Sequence, residues 1–131
     1  MVEKKPDKVI CLGDFADMPS LSSYDQGKRS FEGRRYRDDV EASHEAMVAF
    51  LTPLWEFNEK ARRNKEKQYH PELILTLGNH ENRINRAVNG SAQLEGVLSV
   101  DDLGYEIYGW DVHPFLDVVV VDGIAYSHYF T

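Results

Sequence analysis

Leu73-Ile74-Leu75-Thr76-Leu77-Gly78-Asn79-His80-Glu81 is the stretch on which the reading of this chain turns. Five residues with β-branched and aliphatic side chains end at a glycine. A short apolar run bounded in this way reads as a buried strand followed by a tight turn. The turn then presents an amide, an imidazole and a carboxylate in immediate succession. Sixty-odd residues upstream the pattern has a counterpart: Val9-Ile10-Cys11-Leu12 runs into Gly13-Asp14-Phe15-Ala16-Asp17. Two buried strands, each ending in Gly and then an oxygen-bearing side chain, organise the rest of the reading.

Between them lies a helix. Asp38 and Asp39 open it, since acidic residues favour the N-terminal end of the dipole. Val40, His44, Met47, Leu51, Leu54, Phe57 and Ala61 recur at spacings of three and four, one face of a helix about 24 residues long. Pro53 falls inside and is expected to kink or split it. Arg62, Arg63, Lys65 and Lys67 suit its C-terminus. Residues from Met18 to Tyr36 lack periodicity and read as a long loop, a length often associated with function. The order is strand, loop, helix, strand, which is a right-handed α/β crossover with its ligand site beyond the carboxyl ends of the strands.

Further along, Glu81 to Val88 reads as a short helix stopped by Asn89-Gly90. Gln93 to Val100 reads as another helical piece, and Tyr105 to Tyr108 as a strand. Val118-Val119-Val120-Val121, Asp122-Gly123 and Ile124-Ala125-Tyr126-Ser127-His128 form a hairpin signal with a type I′ turn. The later segment therefore reads as antiparallel or mixed sheet.

The bulk numbers set bounds. The chain has 131 residues, 42% hydrophobic and 28% charged, which suits one globular domain spanning residues 1–131. No run approaches the roughly 18 apolar residues of a membrane helix, and no signal peptide is visible. Cys11 is the single cysteine, so no internal disulfide forms, and its apolar neighbours make it a buried thiol. A cytoplasmic location is expected, with no membrane partner. The net charge of -7 excludes a generic polyanion binder. Even so, Lys28, Arg29, Arg34, Arg35 and Arg37 cluster within ten residues. That cluster is either a solvated surface or a face for a phosphate-bearing substrate, with Arg34 and Arg35 as the candidate contacts. No Gly-X-X-X-X-Gly-Lys-Ser/Thr or Gly-X-Gly-X-X-Gly occurs, so a nucleotide-cradling loop has no support.

Asp14 and Asn79 offer oxygen to hard or borderline divalent metals, and His128 offers nitrogen. Each also has a plainer reading. Asp14 can cap a turn, Asn79 can sit in a left-handed turn, His128 can be an ordinary half-buried histidine, and His80 with Glu81 can be a surface pair. Taken together and in order, the two Gly-led blocks resemble the calcineurin-like metallophosphoesterases. That family's pattern runs Asp-X-His, Gly-Asp-X-X-Asp, Gly-Asn-His-Asp/Glu, a single His, then Gly-His-X-His. Gly13 to Asp17 matches the second block, Gly78 to Glu81 the third, and His128 the fourth. The segment from Asp14 to Tyr36 is similar to the branch found in bacteriophage genomes, which places the expected cytoplasm in the host.

The resemblance implies a metal-dependent hydrolase of phosphate esters, with nucleic acid among the candidate substrates. It implies two divalent ions, manganese foremost, with iron or zinc as alternatives. Asp14 would bridge the metals, and Asn79 and His128 would ligate the second. His80 would protonate the leaving alkoxide, Glu81 would orient His80, and Asp17 would support the loop or neighbouring ligands. The first and last blocks have no counterpart, since eight residues precede Val9 and three follow His128. The expected fold is thus a partial metallophosphoesterase fold, mixed sheet with flanking helices, cut at both ends and weak or inactive alone. A remnant without activity, or a module completed by self-association or another chain through exposed strand edges, is the alternative.

Overall fold

Leu73 to Thr76 are buried without interruption, which only a strand covered on both faces allows. In the computed structural model, which describes residues 1–21 and 33–130 (33 and 34 by backbone alone), they belong to β2, Glu72–Thr76. β1, Lys8–Cys11, pairs with it in parallel, Val9 opposite Leu73 and Cys11 opposite Leu75. β3, Trp110–His113, pairs in parallel on the other side, Leu73 opposite Trp110 and Thr76 opposite His113. The central strand is thus the most buried of the three.

Helix α1, Gly33–Arg63, connects β1 to β2. The periodic face read from the sequence is the face that packs. Met47, Leu51, Leu54 and Ala61 are buried, with Val40 half-buried. Met47, Leu51 and Leu54 share one core cluster with Leu73, Leu75, Ile84, Leu103 and Trp110. The Trp110 indole N–H donates to Met47 Sδ at 3.1 Å, joining helix to sheet. Burying these side chains is the main favourable term, at about 25 cal/mol per Å² of apolar surface.

Five expectations need correction. The helix begins at Gly33, not Asp38, because tertiary contacts hold the extra turn: the Tyr36 hydroxyl donates to Asp102 at 2.6 Å. Asp39 likewise accepts from the Ser20 backbone N–H at 2.9 Å, and Pro19–Leu21 form a short 3-10 turn in what read as loop. Pro53 does not split α1, which is one continuous element of 31 residues; the adjacent Thr52 hydroxyl donates to the Val48 carbonyl. Tyr105 to Tyr108 is not a strand but a turn. Gly104 and Gly109, with φ of 64° and 98°, bracket it, and the strand begins at Trp110. The Gln93–Val100 piece resolves into two 3-10 turns, Ala92–Leu94 and Val100–Leu103.

Helix α2, Asn82–Gly90, follows β2, with Ile84 and Ala87 buried. The hairpin is present: β4, Val119–Val121, pairs antiparallel with β5, Ile124–Tyr126. Asp122 and Gly123 both have positive φ, 51° and 81°, as a type I′ turn requires. A Lys8–Asp122 ion pair at 2.9 Å ties the turn to the start of β1. The described chain is therefore mixed α/β, with two α-helices, a parallel three-stranded sheet and an antiparallel hairpin. Among the described residues, no helix is long and apolar enough to cross a membrane.

All three parallel strands end on one edge of the sheet, at Cys11, Thr76 and His113. The loops carrying both Gly-led blocks leave from that edge. Leu75 is fully buried at the centre of the sheet. Leu75→Ala is expected to lower unfolding free energy by about 3 kcal/mol. Urea denaturation would measure it, and a change under about 0.5 kcal/mol would place the core elsewhere.

Candidate functional site

Gly13 and Gly78 bring the two strand-ending loops into backbone contact. A Cβ on Gly13 would lie 2.5 Å from the Gly78 nitrogen, and one on Gly78 would lie 2.2 Å from Asp14 Oδ1. Neither position has room for a side chain. Gly13 also has φ of 97°, and Asp14 follows at φ of 55°, a left-handed conformation that Asp tolerates better than most residues. The reversal aims the Asp14 amide and carboxylate at the neighbouring loop.

Glu81 fixes that contact. Its side chain is fully buried and accepts four hydrogen bonds. Oε1 accepts from Asp14 N at 2.8 Å and Gly78 N at 2.7 Å. Oε2 accepts from Ala16 N at 2.9 Å and from the Tyr105 hydroxyl at 3.0 Å. A carboxylate removed from water is costly unless donors replace the water, and here all four come from protein. Burial, with the Glu81 charge in support, pushes the Tyr105 phenol well above its usual range, so it remains a donor. Asp14 Oδ1 adds a return link, accepting from His80 N at 2.9 Å.

The expectation that Glu81 orients His80 is corrected by these bonds. Its carboxylate is spent on backbone and Tyr105, and the partner of His80 is Asp17, with Nδ1 2.7 Å from Asp17 Oδ1. The Asp17 loop is held in turn by Arg83, whose guanidinium donates to the Asp17 carbonyl at 3.0 Å. The contact is made through Nδ1, across the ring from Nε2.

His128 lies just past β5, beside both loops. Its Nδ1 donates to the Leu12 carbonyl, which fixes the tautomer and leaves the Nε2 lone pair pointing away from that carbonyl. Nε2 lies 2.9 Å from Asn79 Oδ1 and 3.5 Å from Asp14 Oδ2. Asp14, Asn79 and His128, named from sequence, thus converge. Asp14 Oδ2, Asn79 Oδ1 and His128 Nε2 share one place at the mouth of the two loops. The mixed oxygen and nitrogen set fits a borderline divalent ion such as manganese, iron or zinc. Phe115 covers one side, its ring centroid 6.1 Å from that of His128.

Among the described residues, no group of three or more His, Cys, Asp or Glu side chains is placed to hold a metal; the trio here has two such residues plus an amide. Arg35 is exposed in the first turns of α1, and the side chain of Arg34, with Lys28 and Arg29, lies outside the described residues. Cys11 is half-buried, and burial raises its thiol pKa, consistent with an unreactive thiol. Sequence reasoning missed Tyr105 and Arg83, since neither stands in a recognisable block. Comparison with protein-family models, curated proteins and solved structures gives no match.

The buried carboxylate carries a direct expectation. Glu81→Gln puts an amide N–H₂ against donors that had an oxygen, at the cost of about 3 kcal/mol. Thermal or urea unfolding reads the loss, and a stability equal to that of the parent chain would show that Glu81 does not join the loops.

Proposed function

We propose that this chain is a metal-dependent phosphoesterase domain of the calcineurin-like kind, hydrolysing phosphate mono- or diesters. The observation that carries the reading is the convergence of Asp14 Oδ2, Asn79 Oδ1 and His128 Nε2, with the His128 tautomer set by Leu12. These three atoms would hold a divalent cation, with Asp14 as the bridge to a second. When bound, such ions supply Lewis acidity toward the phosphate and lower the pKa of a bound water.

The chain's own residues take the remaining roles. His80 sits on the adjoining turn, its Nδ1 anchored on Asp17, so Nε2 is the atom from which a proton passes to the leaving oxygen. Asp17 holds the Nδ1 side of that ring at 2.7 Å. Arg83 steadies the loop bearing Asp17. Basic residues near Arg34 and Arg35 fit an anionic substrate, nucleic acid included.

A second reading has its own support. Among the described residues three donors converge, fewer than a closed two-metal site uses, and Val118, Val120, Ile124, Tyr129 and Phe130 are exposed on and beside the hairpin. A complementing chain that covers this surface and adds ligands would turn an inactive module into an enzyme.

The test is manganese-dependent hydrolysis of a bis-aryl phosphate. Asn79→Ala and His80→Ala are each expected to lower the rate at least about 100-fold, His80→Ala without loss of metal binding. Equal rates in parent and variants would remove these residues from the chemistry. Absence of any hydrolysis by the parent chain, restored on adding a second chain, would favour the complemented module.

A further inference from the structure

We propose that Tyr105 is a positioning residue that sets the Asp14 loop against the Asn79 loop, acting through Glu81. It deepens the cation-site reading above and rests on it for its consequence in metal binding. Tyr105 belongs to neither Gly-led block. It comes from the turn between Gly104 and Gly109, and it is only 3% exposed.

It grips the Asp14 loop at two points. Its hydroxyl donates to Glu81 Oε2, the oxygen that also accepts from Ala16 N. Its ring meets that of Phe15 edge-on, centroids 6.1 Å apart at 89°. Phe15 stands between Asp14 and Ala16, so the ring contact and the hydroxyl act on the same three residues. The packing would be served as well by phenylalanine; the hydroxyl is the part that needs a reason. Each Glu81 oxygen takes two donors, and Tyr105 is the only one of the four that is not backbone of the two loops. It thus holds the carboxylate from outside. Without it, Oε2 keeps only Ala16 N, and the carboxylate can turn about its terminal bond. That turn would shift the amides of Asp14 and Gly78, and with them the spacing of Asp14 Oδ2, Asn79 Oδ1 and His128 Nε2.

Tyr105→Phe in the full chain separates this role from simple packing, because the ring stays. Two measurements are made: amide hydrogen exchange without metal, and Mn²⁺ affinity by calorimetric titration. Exchange at Asp14, Ala16 and Gly78 is expected to quicken about tenfold, with Ile74 and Leu75 of β2 unchanged. The dissociation constant for Mn²⁺ is expected to rise about tenfold, as when a residue supporting a ligand is lost. Unchanged exchange at the three amides, or equal quickening throughout the chain, would overturn the positioning role. A parent chain that takes up no Mn²⁺ would overturn the cation reading alone, and the exchange pattern would still decide the role of Tyr105.

Discussion

The Glu81 carboxylate, buried and surrounded by four donors, is the constraint on which the carboxyl edge of the sheet depends. Two parallel strands put their following loops near each other, but they do not make the loops touch. Contact requires that neither loop carry a side chain at the crossing, hence Gly13 and Gly78. It also requires that the backbone N–H groups so buried find acceptors. One side chain meets both needs, since it reaches from the start of α2 and binds N–H groups of both loops. The charge is tolerated because every lone-pair direction is occupied, and the same saturation makes the arrangement rigid.

Rigidity at this point serves what lies above it. Asp14, Asn79 and His128 come from three separate parts of the chain. Their convergence follows from the Glu81 link, from the His80 N–H on Asp14 Oδ1, and from the Leu12 carbonyl on His128 Nδ1. Each bond fixes one polar atom and leaves the other, Oδ2 on Asp14 and Nε2 on His128, facing its neighbours in the trio. Asp17 meets His80 Nδ1 at 2.7 Å, and Arg83 holds the Asp17 carbonyl at 3.0 Å.

Much of this was legible in the sequence, and the failures have physical causes. Burial on both faces leaves β2 with a continuous apolar run, so its strand and its terminal turn could be read from local pattern. The face of α1 from Val40 to Ala61 was legible for the same reason, as was the hairpin from its Asp122-Gly123 turn. The first turn of α1 was not, because Tyr36 and Asp39 are held by residues distant in sequence. The Tyr105–Tyr108 error came from aromatic composition, which fits a strand, overruled by two left-handed glycines. In the candidate site, the Gly-led blocks singled out Asp14, Asn79, His80 and Glu81 as candidates. Which carboxylate served which partner depended on the three-dimensional crossing of the loops, which left Glu81 to the backbone and Asp17 to His80.

The most direct test of the central claim is a paramagnetic one. A substoichiometric Mn²⁺ titration of the ¹⁵N-labelled chain should broaden, first and selectively, the amide signals of Asp14, Asn79 and His128, together with the His128 ring protons. Broadening spread over surface acidic residues such as Glu41 and Glu45, with those signals untouched, would contradict it.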